Sequence, residues 1–171
     1  TEYQTQVCRN ARAFAQALVR AGLTVEGDAS EGYTHTHQVL LRVIQHGDGE
    51  AIARRLEENN IVCNYQALPD DETFLKSSGL RLGVQEMTRY GMVESDFDAI
   101  AGFIADVVIR NANVKQAVSD FRRNFLTQIF CLPMNQSLEF GAQLLATILP
   151  SSTYATEFAN NLQTLARTLP A

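Results

Sequence analysis

No apolar stretch in the chain reaches the roughly 20 residues that a bilayer-crossing helix needs, so no membrane span is expected. No basic-then-apolar leader opens the sequence, and nothing marks secretion. Cysteine is scarce: Cys8, Cys63 and Cys131 are odd in number, widely spaced, and form no Cys-x-x-Cys pair. That spacing argues against a zinc site or a redox motif. It leaves reduced thiols of a cytosolic protein, read as small core fillers. Positive charge is outweighed, with 14 Lys and Arg against 19 Asp and Glu and a net charge of −5. A general nucleic-acid binder needs a basic surface to neutralise phosphates, and this balance argues against one. Lysine is confined to Lys76 and Lys115. No glycine-rich turn between a strand and a helix could seat a phosphate. No serine sits in a nucleophile elbow, and there is no repeat or low-complexity tract.

What is present reads as an ordinary soluble domain. The 171 residues, 46% hydrophobic and 19% charged, fit one domain or one plus an appendage, with a core of real size. The chain opens at Thr1-Glu2-Tyr3 without methionine. That start suggests an excised piece of something longer, or a processed or trimmed chain. Tyr3 to Ala21 carries Val7, Ala11, Phe14, Ala15, Leu18 and Val19 at the spacing of one buried helical stripe, with Gly22 as the stop. Thr24 to Gly27 reads as a short strand, and residues 28 to 32 as a loop.

Gln38 to Ile44 is the strongest strand. Val39, Leu41 and Val43 point one way, and Leu40 and Ile44, with Arg42 between them, point the other. Apolar residues on both faces predict cover on both sides or a central position. Asp48 is placed to cap a helix to about Glu58, with Ile52, Ala53 and Leu56 inward. Ile61 to Cys63 reads as a further strand, continuing extended through Asn64 to Leu68. The strand–helix–strand order favours two parallel strands. Glu94, Ser95 and Asp96 suit the positive end of the next helix, whose stripe is Phe97, Ile100, Ala101, Ile104, Val107 and Val108. Val114 to about Phe130 predicts another helix, stopped by Leu132-Pro133. Two more follow, one through Leu138, Gly141, Leu144, Leu145 and Ile148, the other through Phe158, Leu162 and Leu165, with a break at Pro150-Ser151-Ser152.

His35 and His37 lie two apart at the head of the Gln38 strand. On a strand they would share a face, which makes a metal pair conceivable. No cysteine or carboxylate cluster supplies further ligands, and no metal site is assigned.

The stretch from Ser77 to Met92 organises the rest. Leu80 and Leu82 flank Arg81, so an extended segment sends both leucines to one face and the guanidinium to the other. Gly79 and Gly83 bracket it and permit close backbone approach. A planar fork on a stiff strand suits a carboxylate. On spacing alone a solvated surface arginine in a weak ion pair fits as well.

Ser78-Gly79-Leu80-Arg81-Leu82-Gly83, then Thr88 and Gly91, resembles the substrate-arginine segment of the serine hydroxymethyltransferases, which are fold-type I pyridoxal-phosphate enzymes. The likeness runs from about Gln4 to Lys115. Asn64 and Pro69-Asp70 keep the family spacing, and His37 falls where the family carries a structural histidine. The resemblance implies the small C-terminal domain of such an enzyme. Its class would be α+β, with a small mixed sheet covered by helices. Residues 1–115 would form that domain and 116–171 a helical C-terminal extension packed on it. It implies that Arg81 binds the carboxylate of an amino-acid substrate. It also implies pyridoxal phosphate in the intact enzyme, held mainly by a large catalytic domain that is not in this chain. No catalytic or cofactor-binding residue is assigned here, because neither Lys76 nor Lys115 lies in a segment like the family's cofactor lysine.

By the same resemblance the full-length form would be a cytoplasmic homodimer that makes or breaks the Cα–Cβ bond of a β-hydroxy amino acid. Tetrahydrofolate would be a second ligand, but Gln66 stands where the family has a second asparagine, and Arg89-Tyr90 where it has a second basic pattern. These departures leave open a one-carbon or aldehyde partner other than folate. Two other classes stay open. One is a binding or regulatory module that kept the fold and lost the chemistry. The other is an oligomerisation unit carried by the last helices.

Overall fold

Helix α1, Glu2–Arg20, buries Val7, Ala11, Phe14, Ala15 and Leu18 along one stripe, as the helical spacing predicts. Val19, expected in that stripe, is 40% exposed at its border, while the polar Asn10 is fully buried. The helix closes at Gly22, whose φ of +91° lets the Leu23 N–H reach back to the Leu18 carbonyl at 3.0 Å. This left-handed closure favours glycine. The computed structural model describes residues 2–73, 76–129, 134–148 and 153–168. The chain forms two compact units, Thr1–Ile129 and Phe130–Ala171.

After α1 the first unit runs through β1 (Thr24–Val25), a 3-10 turn (Ala29–Glu31), β2 (Gln38–Arg42), α2 (Gly49–Glu58), β3 (Asn64–Gln66) and β4 (Gly79–Gly83). It ends with α3 (Gln85–Arg89), α4 (Asp96–Arg110) and α5 (Lys115–Arg122). The α+β architecture is the expected one. The sheet order is β1-β2-β4-β3, and each neighbouring pair is antiparallel. β2 and β3 do run in the same direction, as the strand–helix–strand order predicts. However, β4 inserts between them, so no parallel pair forms and the sheet is antiparallel rather than mixed.

The sheet is covered on one face. Val39, Leu41 and Val43 join Leu80, Leu82 and Val84 in a single core with Phe14, Leu18, Ile52, Leu56 and Ile104. Of the two expectations for β2, the central position is the one found, between β1 and β4; its other face is open, with Ile44 54% exposed and Leu40 and Arg42 half-buried. The α1, α2 and α4 side chains all enter the same core, which leaves no helix of this unit for the second face.

Local signals account for most boundaries. The Asp48 carboxylate accepts the Glu50 and Ala51 N–H groups at 3.1 and 3.4 Å, capping α2 as read from the sequence. Ile61 to Cys63 is not a strand. The Ile61 N–H returns to the Leu56 carbonyl at 2.9 Å after Asn60 turns at φ +63°. Helix closure therefore uses these residues, and pairing starts only at Asn64. Helix α3, within the glycine-punctuated stretch, was not anticipated. Its Thr88 hydroxyl accepts the Asn10 amide N–H at 2.8 Å, and the same amide donates to the Met92 carbonyl at 2.8 Å.

Helix α5 stops at Arg122, short of the expected Phe130. There the Arg122 guanidinium donates to the Phe125 carbonyl and the Phe121 and Phe125 rings pack at 5.3 Å. Val118, Phe121 and Phe125 pack on the first unit's core, so the compact unit extends past Lys115, the expected boundary, to Ile129. In the second unit α6 (Met134–Ile148) and α7 (Thr153–Thr168) form at the expected places. The breaks read at Leu132-Pro133 and Pro150-Ser151-Ser152, and Cys131, lie outside the described residues. No helix among the described residues is long and apolar enough to cross a membrane.

One-sided cover has a measurable consequence. Leu41→Ala, at a fully buried site, is expected to lower unfolding free energy by about 2–5 kcal/mol. Ile44→Ala on the open face should stay within about 0.5 kcal/mol of the parent. Urea midpoints at constant slope check both, and comparable losses at the two sites would mean that the second face is also packed.

Candidate functional site

The uncovered face of the sheet collects the polar side chains of its strands. Register places Leu40, Arg81 and Asn64 in one row, and Arg42, Gly79 and Gln66 in the next. Alternation along β4 is as read from the sequence: Leu80 is 0% and Leu82 5% exposed, while Arg81 between them is half-buried on the opposite face.

The two arginines of this face are in opposite electrostatic states. The Arg42 Nε donates to Glu26 at 2.6 Å, and its two terminal nitrogens donate to the Asp70 carboxylate at 3.0 and 2.8 Å. This three-sided grip raises the Arg42 pKa, through Asp70 first and then Glu26, and holds Asp70 below the usual carboxylate range. It also ties β1, β2 and the loop after β3 together. The Arg81 side chain has no hydrogen bond or ion pair with another described residue. A half-buried guanidinium has lost part of its hydration without gaining a carboxylate, so an arriving anion meets little competition.

Arg81 lines a cleft of about 700 Å³ with Asn64, Tyr65 and Gln66 of β3 and Glu50 and Arg54 of α2. Glu50 is already bound to Arg54 at 2.7 Å. Cys63, also at the cleft, is half-buried, and burial, then Glu57, pushes its thiol up to about 12. It stays a protonated thiol at neutral pH and is no nucleophile.

Close backbone packing holds β4 in place. A Cβ at Gly49 would meet the Ser77 and Gly79 carbonyl oxygens at 2.7 and 2.8 Å, and one at Gly79 would meet Leu68 at 2.7 Å. Only glycine lets the start of α2 and the β3–β4 loop approach the strand this closely. The Asp71 carboxylate fastens that loop, accepting the Leu68 and Ser78 N–H groups at 2.8 Å each. Those bonds hold its pKa below the usual value. Sequence reading missed both the Asp71 clasp and the Arg42 grip. Their signals were an acidic pair after a proline and a basic residue inside an apolar strand.

The remaining candidates lie elsewhere. Lys76 is exposed in the loop before β4, and Lys115 is exposed at the first position of α5. Arg89 is on α3 with its guanidinium 5.0 Å from the Tyr3 ring centre. His35 accepts from Arg12 at 2.9 Å and lies 3.5 Å from Glu31. His37 directly precedes β2, and its carbonyl accepts the Val84 N–H at 3.2 Å. No cluster of three or more metal-ligating side chains occurs among the described residues.

The helix-backed α+β sheet, whose open face carries an ion-paired Arg42 and an Arg81 without an ion pair, has the fold of a fold-type I pyridoxal-phosphate enzyme. Comparison supports that class. The chain superposes on the L-threonine transaldolase of Pseudomonas fluorescens with a TM-score of 0.68 and 31% identity, over 88% of this chain and 34% of that one. Residues 1–104 match the serine hydroxymethyltransferase family model. The chain belongs to the serine hydroxymethyltransferase family and corresponds to its C-terminal small domain. It is 47% identical over 127 residues to the serine hydroxymethyltransferase of Pyrobaculum arsenaticum, and 46% identical over 130 residues to that of Staphylothermus marinus. Each match spans 73% of this chain and 29% of the relative.

The Asp71 clasp predicts a pH signature. Its folded pKa is depressed, so its contribution is complete above the unfolded value of about 3.9 and is lost as pH falls through the lower folded value. Asp71→Asn should therefore destabilise the chain at pH 7, and the difference from the parent should shrink steadily below about pH 4. Thermal melts from pH 7 to pH 2.5 test this, and a pH-independent gap would assign the loss to geometry instead.

Proposed function

We propose that this domain supplies the carboxylate grip of an enzyme that makes or breaks the Cα–Cβ bond of a β-hydroxy amino acid. Hydroxymethyl transfer, aldol cleavage and transaldol exchange all belong to that chemistry. The observation that carries the proposal is Arg81: half-buried, without a described partner, and rigidly set on β4 beside an open cleft. Family membership supports it, as does the likeness to an enzyme whose name is L-threonine transaldolase.

Neither lysine lines the Arg81 cleft, and both are exposed. The cofactor, an electron sink for the carbanion left at Cα, would be held by the remainder of the polypeptide. The work of this domain is orientation. Two parallel N–H···O bonds from Arg81 fix the plane of the substrate carboxylate, and with it the direction of the Cα–Cβ bond. A fixed direction replaces a search over rotamers at the reacting carbon. The Arg42 grip and the Asp71 clasp hold the strand and loop that carry this geometry. Gln66, half-buried on β3 and lining the same cleft, faces the second substrate in this reading, and its identity favours a partner other than folate. The same family relation extends the proposal to a cytoplasmic homodimer.

In the intact enzyme Arg81→Ala should weaken amino-acid binding about 30- to 150-fold, the equivalent of about 2–3 kcal/mol for a charge-assisted pair. Arg81→Lys should recover only part of that, because an ammonium cannot make the two parallel bonds. Substrate titrations of the three proteins decide it. An unchanged dissociation constant in Arg81→Ala would transfer the carboxylate role elsewhere and favour a non-catalytic module.

A further inference from the structure

A second cleft, of about 610 Å³, opens on the helix-covered side of the sheet. Its walls are apolar and largely aromatic: Leu82 of β4, Phe97 and Phe103 of α4, and Phe121 of α5. Phe103 and Phe121 meet edge to face at 5.8 Å, presenting ring faces and edges to whatever enters. Leu82 points away from Arg81, so β4 separates this cleft from the carboxylate site.

The rim carries charge. Arg122 lines the cleft with its guanidinium 4.3 Å from the Tyr90 ring centre and donates to the Phe125 carbonyl. Neither partner is an anion, and no ion pair among the described residues includes it. Asn60 and Ser119, also at the rim, satisfy each other at 3.0 Å. Apolar walls disfavour sugars and polyanions. The volume lies in the range of about 300–1,000 Å³ typical of small-molecule sites. The aromatic walls suit a flat ring system; Arg122, which no acid engages, can take a negative group, and Glu86, which also lines the cleft, disfavours a second negative charge.

We propose that this cleft is a second ligand site, for a fused-ring aromatic monoanion whose ring body lies between Leu82 and Phe121 and whose anionic group meets Arg122. The proposal is independent of the role assigned to Arg81.

The chain provides its own reporters. Of its three methionines, Met87 and Met92 line this cleft, and Met134 belongs to the second unit. With carbon-13-labelled methionine methyls, 2-naphthoate should shift Met87 and Met92 saturably. Arg122→Met should weaken 2-naphthoate about tenfold or more while changing neutral 2-naphthylmethanol less than about twofold. Val118→Phe, which puts a ring into the cleft, should abolish both. Ile100→Phe replaces it if that variant fails to fold, with circular dichroism as the folding check. Arg81→Ala should bind 2-naphthoate like the parent. Three results would overturn the site. They are no saturable shift at millimolar ligand, equal weakening of both probes by Arg122→Met, or unchanged binding in a folded cleft-filling variant. Loss of binding in Arg81→Ala would likewise relocate the anion to the other cleft.

Discussion

The period-two alternation of β4 is the constraint from which the rest follows. Leu80 and Leu82 must enter the core, because removing either would leave a cavity beneath the middle of the sheet. Arg81 is then forced onto the open face. A one-residue slip in register would bury a guanidinium and expose two leucines, so core energetics protect the site's geometry. The glycine contacts at positions 49 and 79 add a steric lock, since a slipped strand would no longer present glycine where the backbone of α2 and the Leu68 side chain come close. Fold stability and side-chain aim are in this way the same requirement.

The open face shows how one surface can hold both a structural and a receptive arginine. Arg42 is saturated by Glu26 and Asp70, and its work is to fasten strand edges and a loop. Arg81, one row away, has no such neighbour among the described residues. Two acids of α2, Glu50 and Glu57, line the cleft; Glu50 is engaged by Arg54, and Glu57 forms no ion pair with Arg81. The Glu50 pairing matters because it removes one competitor of a substrate carboxylate for the same fork. The Asp71 clasp then fixes the loop whose Leu68 covers Gly79, so the ground beneath the arginine is held by one carboxylate that accepts two backbone N–H groups.

Much of this was legible in the sequence because it rests on local rules. The α1 stripe, the Asp48 cap, the inward Leu80 and Leu82 and the outward Arg81 follow from periodicity and capping alone. The family likeness of the Ser78–Gly83 segment pointed to the role proposed for the arginine before any geometry was known. What was not legible depends on contacts between distant segments. Insertion of β4 between β2 and β3 is a pairing choice that neither strand's composition records. Leu40 and Ile44 looked core-facing because an apolar residue reads alike whether it is covered by its own domain or left open. The helical stripe gave no sign that Asn10 is buried, because its partners, Thr88 and the Met92 carbonyl, are distant in the chain. Helix α3 and the early end of α5 were missed for a related reason: short helices are set by what they pack against, not by their own propensity.

The claim at the centre is that Arg81 waits for a carboxylate that the rest of the polypeptide brings to it. A crystal structure of the intact enzyme with a bound amino acid tests this most directly. The account predicts both carboxylate oxygens within about 3 Å of the two terminal nitrogens of Arg81, in one plane. Finding Arg81 closed in an ion pair with an acidic side chain from elsewhere in the enzyme, and the substrate carboxylate on a different cation, would contradict it.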